Sequence, residues 1–588
     1  MTRLADIPLV AEAIAARAWA DPDAVAVLTD GHRLTFGQVL DQSTQVARVI
    51  RAAGGGRDQI VGLSCRRSTD GLVGLLGILF AGAAYTYLDP TWLPDRLRRV
   101  VAQCWMPALV TDAVCAGIAD DLGPATVNVD HVLTTPWLDD PEPLTTNQPH
   151  DLAYVVYTSG STGVAKGVAV EHAGVANMAH HLAQMFGVTP GERMLQFATW
   201  GWDAAACEIL VTLTAGATLV LAPDAVRHGG EDLAAFLRRH RVGVATLTPS
   251  VLAALPHSDL HDLRTVVAVG EPCPAELVTR WAQPGRRFCN GYGPTETTVA
   301  VSVGVCRPGD TVTIGPPLPG VTVRVVDDAD APVPGGQPGE LLVGGIGVAR
   351  GYLADPDGAH PDAGPTVAGH DRFFTADGDR WYRTGDIVRQ HGDGRLVFIG
   401  RRDDQIQLHG HRIEPGEVGA ALRSHPAVRA CAVLPVAGRL VAWVQVDDPT
   451  LAASALAATA ADQLPAHMVP EVRLVERLPL TPQGKLDRDA LHASAAVADA
   501  DPQADQEPAA TTVAAVLAEV RTVLDEATVG AGDDFIDAGG HSLLVAELAV
   551  RLSERFGVPV QANQVAARRT AIELATLVER TALVGQGR

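Results

Sequence analysis

The sequence has no excess of basic charge, no paired cysteines and no apolar N-terminal run of membrane length, and each absence removes a class of protein. Its 46 Lys and Arg stand against 68 Asp and Glu, for a formal net charge of −22. That balance offers no basic stripe to nucleic acid and no patch to an anionic membrane; a diffuse acidic surface favours solubility. The eight cysteines (65, 104, 115, 207, 273, 289, 306 and 431) are scattered, with no CxxC pair and no histidine cluster. They read as reduced, buried thiols of a cytoplasmic protein, which excludes a disulfide framework and a zinc site. Helical periodicity in the first 25 residues is broken by Glu12 and Arg17, which suits an amphipathic helix and neither a signal peptide nor a membrane span.

What is present is length and ordinary apolar content: 588 residues, 47 % hydrophobic, enough for several domains with large cores. Residues 1 to about 400 alternate helical stretches with short β-rich runs such as Ala153–Tyr157, Ala217–Leu221, Val242–Leu247 and Thr265–Val269. This pattern predicts a large α/β core, here taken as 1–402, with largely parallel sheets. A smaller α+β subdomain is expected at 403–492. Ala, Asp, Gln and Pro dominate 493–510, which reads as a linker. Residues 511–588 carry helical periodicity (Val513, Val516, Leu517, Val520, Leu524) and predict an all-α four-helix bundle.

One loop carries the first chemical signal. The apolar run 152–156 leads into YTSGSTGVAKG, residues 157–167. Ser, Thr and Gly after a strand offer hydroxyls and backbone N–H groups to a phosphate chain, the glycines allow close approach, and Lys166 adds positive charge. The Gly-Lys-Ser/Thr ending of a Walker loop is missing, because Lys166 lies between Ala165 and Gly167. A bare Gly/Ser linker is the plainer alternative, and it needs neither the strand nor the lysine.

This loop resembles the phosphate loop of adenylate-forming enzymes, and further pieces follow in that family's order. They are Leu34-Thr35-Phe36, Ala81 to Tyr85 with Asp89-Pro90, Asn290 to Thr298, Gly339-Glu340-Leu341, Gly351-Tyr352, Tyr382 to Asp386, Gly400 to Gln405, Gly410 to Glu414 and Pro482 to Asp487. The chain is most similar to the adenylation domain of nonribosomal peptide synthetases. Near the end, Asp537-Ala538-Gly539-Gly540-His541-Ser542-Leu543 resembles the carrier-protein attachment motif. Read alone, Ser542 is an ordinary helix N-cap. No condensation-domain or thioesterase motif occurs in the sequence.

The resemblance implies ATP, Mg2+ and 4′-phosphopantetheine as cofactors. Thr158, Ser159, Gly160, Ser161, Thr162, Gly163 and Lys166 would hold the β- and γ-phosphates, and Thr295 the α-phosphate. Tyr292 would lie against adenine, Asp386 would bind the ribose hydroxyls and Arg401 would support them. Glu296 would bind Mg2+, and Lys485 would be the central cation. Asp403 would be the hinge about which the small subdomain turns, and Ser542 would anchor the phosphopantetheine whose thiol receives the acyl group. Lys166, Thr295, Glu296 and Lys485 are thus the expected catalytic set, acting by positioning and charge.

The amino-acid pocket would be lined by Asp203, Ala204, Cys207, Thr246, Val267, Val269, Gly291, Val299, Ala300 and Lys485, with Asp203 facing the α-ammonium. The wall is uncharged and its small residues leave room, which favours a neutral, bulky substrate: tyrosine or phenylalanine first, then tryptophan or an aliphatic residue. An acyl-CoA ligase and an inactive carrier scaffold are the competing functions. Expected partners are a phosphopantetheinyl transferase and a downstream condensation or tailoring enzyme, with an MbtH-like protein as an optional helper. Three positions depart from the family pattern: Phe80, for which a surface location is expected, the pair Gln407 and His409, and Phe398 near the ribose.

Overall fold

The computed structural model describes residues 7–586 other than 136–146, 160–164, 258, 355–366, 369–370, 404, 409, 437, 447–450, 476, 480–485, 500–509, 525–528, 534, 536–541, 559, 561–564 and 566–569. Two compact units divide it, Met1–Leu480 and Thr481–Arg588.

Two eight-stranded sheets build most of the first unit. In one, Arg287–Tyr292, Thr265–Ala268, Val244–Leu247, Arg193–Gln196, Thr218–Leu221 and Val25–Leu28 run parallel in that order, with an antiparallel strand on each edge. In the other, Leu152–Thr158 pairs in parallel with Ala84–Tyr87 and antiparallel with Lys166–Glu171. These strands are short, nearly continuous apolar runs because helices cover both faces of a parallel sheet. A third, antiparallel sheet contains Val321–Val326, Pro338–Gly345, Asp379–Gln390 and Leu396–Arg401.

The helices Thr69–Ala81 and Asp203–Ala215 are buried along most of their length. Phe80 therefore corrects the surface expectation: it is fully buried, and its carbonyl accepts from Arg51 Nη2 at 2.7 Å. The helix around it is apolar on every side, so no face is left for a lysine.

After Arg401 the chain makes the hairpin Ile406–Leu408 and His411–Ile413, the helix Pro415–Arg423, and a three-stranded sheet of Val428–Val436, Arg439–Val446 and Glu471–Leu474. The helix Ala453–Ala461 packs on its own apolar cluster with them. Gln407 is exposed on the first strand of the hairpin, and His409 lies outside the described residues.

The second unit is helical: Arg488–Asp499, Ala510–Leu524, Ser542–Phe556 and Ala571–Gln586. Val516, Val520, Leu548, Leu552, Leu574 and Val578 form its buried core. The first of these helices runs on into the segment read as linker, whose alanines are strong helix formers.

Candidate active site

Strand ends from several elements deliver the site. Thr158 ends Leu152–Thr158 and pairs with Lys166, which opens the return strand, so the loop between them is pinned at both feet. Residues Gly160 to Gly163 lie outside the described set. Thr158 is buried, and its Oγ1 has no hydrogen-bond partner among the described residues. Burial holds the Lys166 amine below its ordinary range, with Glu414 pulling the other way. Its Nζ stands 5.0 Å from the centre of the Tyr352 ring.

Tyr292 ends the strand Arg287–Tyr292, and the turn Thr295–Thr297 follows. The Tyr292 hydroxyl donates to Asp386 Oδ2 at 2.5 Å, and Arg401 Nη1 donates to Asp386 Oδ1 at 2.5 Å. Asp386 and Arg401 are register partners on adjacent strands, which is why both reach one place. Burial raises the Asp386 carboxyl, and Arg401 opposes that rise. Asp403 accepts from Arg401 Nε and from Arg372 Nη2, each at 2.7 Å. Burial would raise this carboxyl, but the two arginines outweigh it and set the pKa at about 2.

Glu296 is 0 % exposed. Tyr352 donates to its Oε1 at 2.5 Å, and Arg412 Nη1 reaches Oε1 at 3.1 Å and Oε2 at 2.8 Å. Burial would raise the carboxyl, yet Arg412 and Tyr352 keep it below the usual range, and hence ionised. Ser159 Oγ donates to the Arg412 carbonyl at 2.9 Å. Arg412 Nε is buried without a partner among the described residues. The orphaned Thr158 hydroxyl and Arg412 Nε, with Lys166, suit phosphate oxygens. Glu296 has the chemistry of a hard-cation ligand. As the side chains stand, both its oxygens are engaged and a guanidinium occupies the approach, so a metal ion does not fit there in this arrangement.

The residues expected to line an amino-acid pocket lie on neighbouring elements. Asp203 opens the helix Asp203–Ala215, which also carries Ala204 and the buried Cys207. Thr246 is the register partner of Val267, on adjacent parallel strands, and Val269 follows the second of them. A Cβ on Gly291 would lie 3.0 Å from Val269 and 3.8 Å from Val267, so these three share a wall. A Cβ on Gly293 would meet the Val299 carbonyl at 2.4 Å, a close approach that brings Val299 and Ala300 onto the turn. The Thr246 hydroxyl is buried without a partner among the described residues. Burial pushes Asp203 up to about 6, while a hydrogen bond from the Thr295 side chain opposes the rise. Thr295 thereby links Asp203 to the turn holding Glu296.

Tyr352, Arg372, Arg412 and Glu208 belong to this region and have no role in the sequence reading. The first and third lie inside recognised motifs, which is the signal the sequence offers for them. Glu208 accepts from the backbone N–H of Phe197 at 2.9 Å and of Ala198 at 3.0 Å, and from Gln196 Nε2 at 2.9 Å. It thus ties down the segment that leads into Asp203. Phe398 stands beside Tyr292, ring centres 6.2 Å apart. Lys485 lies outside the described residues. Ser542 is the first residue of its helix in the second unit, and its side chain lies outside the described set.

The arrangement defines a nucleotide-dependent ligase core with a small C-terminal subdomain and a helical carrier unit. The sequence matches AMP-binding enzyme over residues 14–353, AMP-binding enzyme C-terminal domain over 417–485, and phosphopantetheine attachment site over 514–578. The chain belongs to the AMP-binding enzyme family, as an adenylation-domain ligase with a carrier domain of the nonribosomal peptide synthetase type. Enzymes of this family use ATP and Mg2+, and the attachment-site domain carries 4′-phosphopantetheine.

Among relatives, phosphinothricin tripeptide synthetase PhsC of Streptomyces viridochromogenes is 39 % identical over 91 % of this chain and 50 % of its own length. Bacitracin synthase 3 of Bacillus licheniformis is 34 % identical over 97 % of this chain and 9 % of its own. The chain thus spans half or less of these two proteins. Novobiocin biosynthesis protein H of Streptomyces niveus is 37 % identical over 91 % of this chain and 90 % of its own. The solved structure of holo-PA1221, containing adenylation and PCP domains and bound to a vinylsulfonamide inhibitor, aligns with TM-score 0.73 at 26 % identity, covering 98 % of each chain. An artificially fused adenylation–PCP didomain, NpsA-ThdA from Klebsiella oxytoca, shares the fold at TM-score 0.68 and 22 % identity, over 97 % of this chain and 99 % of that one. No helix among the described residues is long and apolar enough to cross a membrane.

Proposed function

We propose that this chain activates a neutral, bulky amino acid, tyrosine or phenylalanine first, as the aminoacyl adenylate and passes it to the phosphopantetheine of its own carrier domain. The observation that carries the reading is the unpartnered Thr246 hydroxyl in a buried, uncharged wall, in the same fold as the Asp203 carboxylate. A buried hydroxyl left unpaired is unfavourable, and a substrate with a polar tip would satisfy it, which favours tyrosine within the pair.

Asp203 pairs with the α-ammonium and so orients the carboxylate toward the nucleotide. Thr158, Ser159 and Lys166 receive the phosphate chain, Asp386 takes the ribose with Arg401 behind it, and Tyr292 flanks the base. Lys485 brings positive charge to the substrate carboxylate and α-phosphate. Glu296 would hold a divalent cation only once Arg412 has left its carboxylate. The acid-to-adenylate step needs no protein nucleophile: the carboxylate oxygen forms a bond to the α-phosphorus as the bond to pyrophosphate breaks. A phosphopantetheine arm on Ser542 supplies the thiol that receives the aminoacyl group.

The test is amino-acid-dependent ATP–pyrophosphate exchange across the twenty amino acids, run on the wild type and on Ser542→Ala. Exchange with tyrosine or phenylalanine above all others, retained in the variant that no longer takes up label, supports the assignment. Exchange with no amino acid overturns it in favour of a scaffold.

A further inference from the structure

Arg67 starts from one eight-stranded sheet and ends on the other. It follows the strand Ile60–Ser64 and stands just before Ser68, whose side chain caps the helix Thr69–Ala81. Its Nη1 donates to the carbonyls of Phe197 at 2.9 Å and Ala198 at 3.2 Å, and its Nη2 to that of Ala222. Phe197 follows Arg193–Gln196 and Ala222 follows Thr218–Leu221, neighbouring parallel strands, so one guanidinium joins two carboxyl ends of the second sheet. Arg227 Nε adds a bond to the Phe197 carbonyl at 2.9 Å. The Arg67 side chain is 6 % exposed, with Nε 3.4 Å from Asp224 Oδ1. Burial, with Arg227 close by, pulls its pKa down to about 10, so it stays charged at neutral pH.

A carboxylate holds the same two peptide units from their other side. Glu208 accepts the N–H groups of Phe197 and Ala198, and it lies on the helix that Asp203 opens. Gln196 Nε2 donates to the Ala198 carbonyl at 2.7 Å and to Glu208 at 2.9 Å, while its Oε1 accepts from the buried Trp200 indole at 3.3 Å. The Trp202 N–H bonds the Thr199 carbonyl at 3.0 Å, which leaves a single tight turn between the held peptides and Asp203.

We propose that Arg67 is a positioning residue for amino-acid recognition: with Glu208 it grips the Phe197–Ala198 peptides at acceptor and donor ends alike, and so fixes where the Asp203 carboxylate meets the α-ammonium. This deepens the function proposed above and rests on it. A buried ion is a weak source of stability, because desolvation offsets its attractions, and an apolar side chain of similar volume packs as well. What the guanidinium supplies is a rigid fork of donors that places three carbonyls at once. A displacement of about 1 Å at a binding group costs up to about a hundredfold. Asp203 would hold the ammonium alike before and during reaction, so its displacement should raise KM for the amino acid and leave kcat nearly unchanged. Thr158, Lys166 and Asp386 stand on other strands, so KM for ATP should not follow.

The test is ATP–pyrophosphate exchange by the full chain with L-tyrosine, L-phenylalanine and any other amino acid that the wild type activates. Arg67→Gln should raise KM for the amino acid about tenfold, with KM for ATP within about twofold of wild type. Arg67→Lys should fall between, and Arg227→Ala, which removes a less buried donor to the same carbonyl, should give a smaller rise of the same kind. Arg286→Gln is the control for lost stability alone: Arg286 holds the Leu260 and Leu263 carbonyls at the opposite, amino ends of the strands, and its loss should lower the thermal midpoint while both KM values stay. Should Arg67→Gln fail to fold, Arg67→Lys and Arg227→Ala decide. Unchanged amino-acid KM in the Arg67 and Arg227 variants would overturn the proposal. So would an equal rise in both KM values, or the same amino-acid effect from Arg286→Gln. Exchange by the wild type with no amino acid at all would instead overturn the adenylation reading, and this proposal with it.

Discussion

The hydroxyl of Tyr292 and the carboxylate of Asp386, 94 residues apart, meet at 2.5 Å. Tyr292→Phe removes the donor and leaves a buried oxygen short of one bond, while Arg401 still holds the other. Stability should fall by about 1.5–3 kcal/mol, the range for hydrogen bonds to charged groups. Chemical denaturation checks this. If Asp386 binds ribose, KM for ATP should rise while KM for the amino acid stays near its original value.

Asp203 should make amino-acid use pH-dependent in a defined window. Its pKa in the folded protein is about 6, raised by burial, so the carboxyl becomes neutral as pH falls through that value. A neutral partner loses its attraction for the α-ammonium, and kcat/KM for the amino acid should drop about tenfold per pH unit below about 6. Exchange rates measured from pH 5 to 8 at saturating ATP show whether it does. Asp203→Asn should have a low kcat/KM without this step.

Glu208 gives a stability prediction independent of any nucleotide. Glu208→Ala strands the N–H groups of Phe197 and Ala198, each worth about 1–3 kcal/mol when buried and unpaired, so a loss of about 2–6 kcal/mol is expected in denaturant. Burial raises the Glu208 carboxyl to about 7, from 4.5. Its pH-linked contribution is therefore complete below about pH 4.5 and is lost as pH rises through about 7. The variant should lack that slope between pH 4.5 and 7.

Lys485→Ala should depress exchange at least about a hundredfold, with an unchanged thermal midpoint. Near-normal exchange would remove the lysine from the adenylation step.

Strands are the legible part of this chain. Ala153–Tyr157 and Thr265–Val269 announce themselves as short apolar runs, and the structure places strands at Leu152–Thr158 and Thr265–Ala268. Phe80 defies the surface expectation because a family pattern with lysine there says nothing of a helix that is apolar all round. The segment after Ala493 reads as a linker from its acids and prolines, but its first alanines continue a helix. The motifs mark Glu296 and Arg412 separately without indicating that they touch. No periodicity encodes a contact between a buried turn and a hairpin 116 residues later. Glu208 is invisible for a similar reason: its partners are mostly backbone groups, which every residue possesses.

Thr298 and Val299 sit at φ 58 and 66, a left-handed stretch that a β-branched side chain adopts only at a cost of about 1–2 kcal/mol. Glycine at 299 would relieve that strain, against about 0.5–1 kcal/mol of extra chain entropy and the loss of a half-buried isopropyl group. Widening a buried pocket normally weakens the fold around it. At this position the two effects oppose each other, so, if Val299 lines the amino-acid pocket as proposed, a substitution that enlarges the pocket would leave stability nearly level. Under that reading the strained turn is where a change of substrate would cost the fold least.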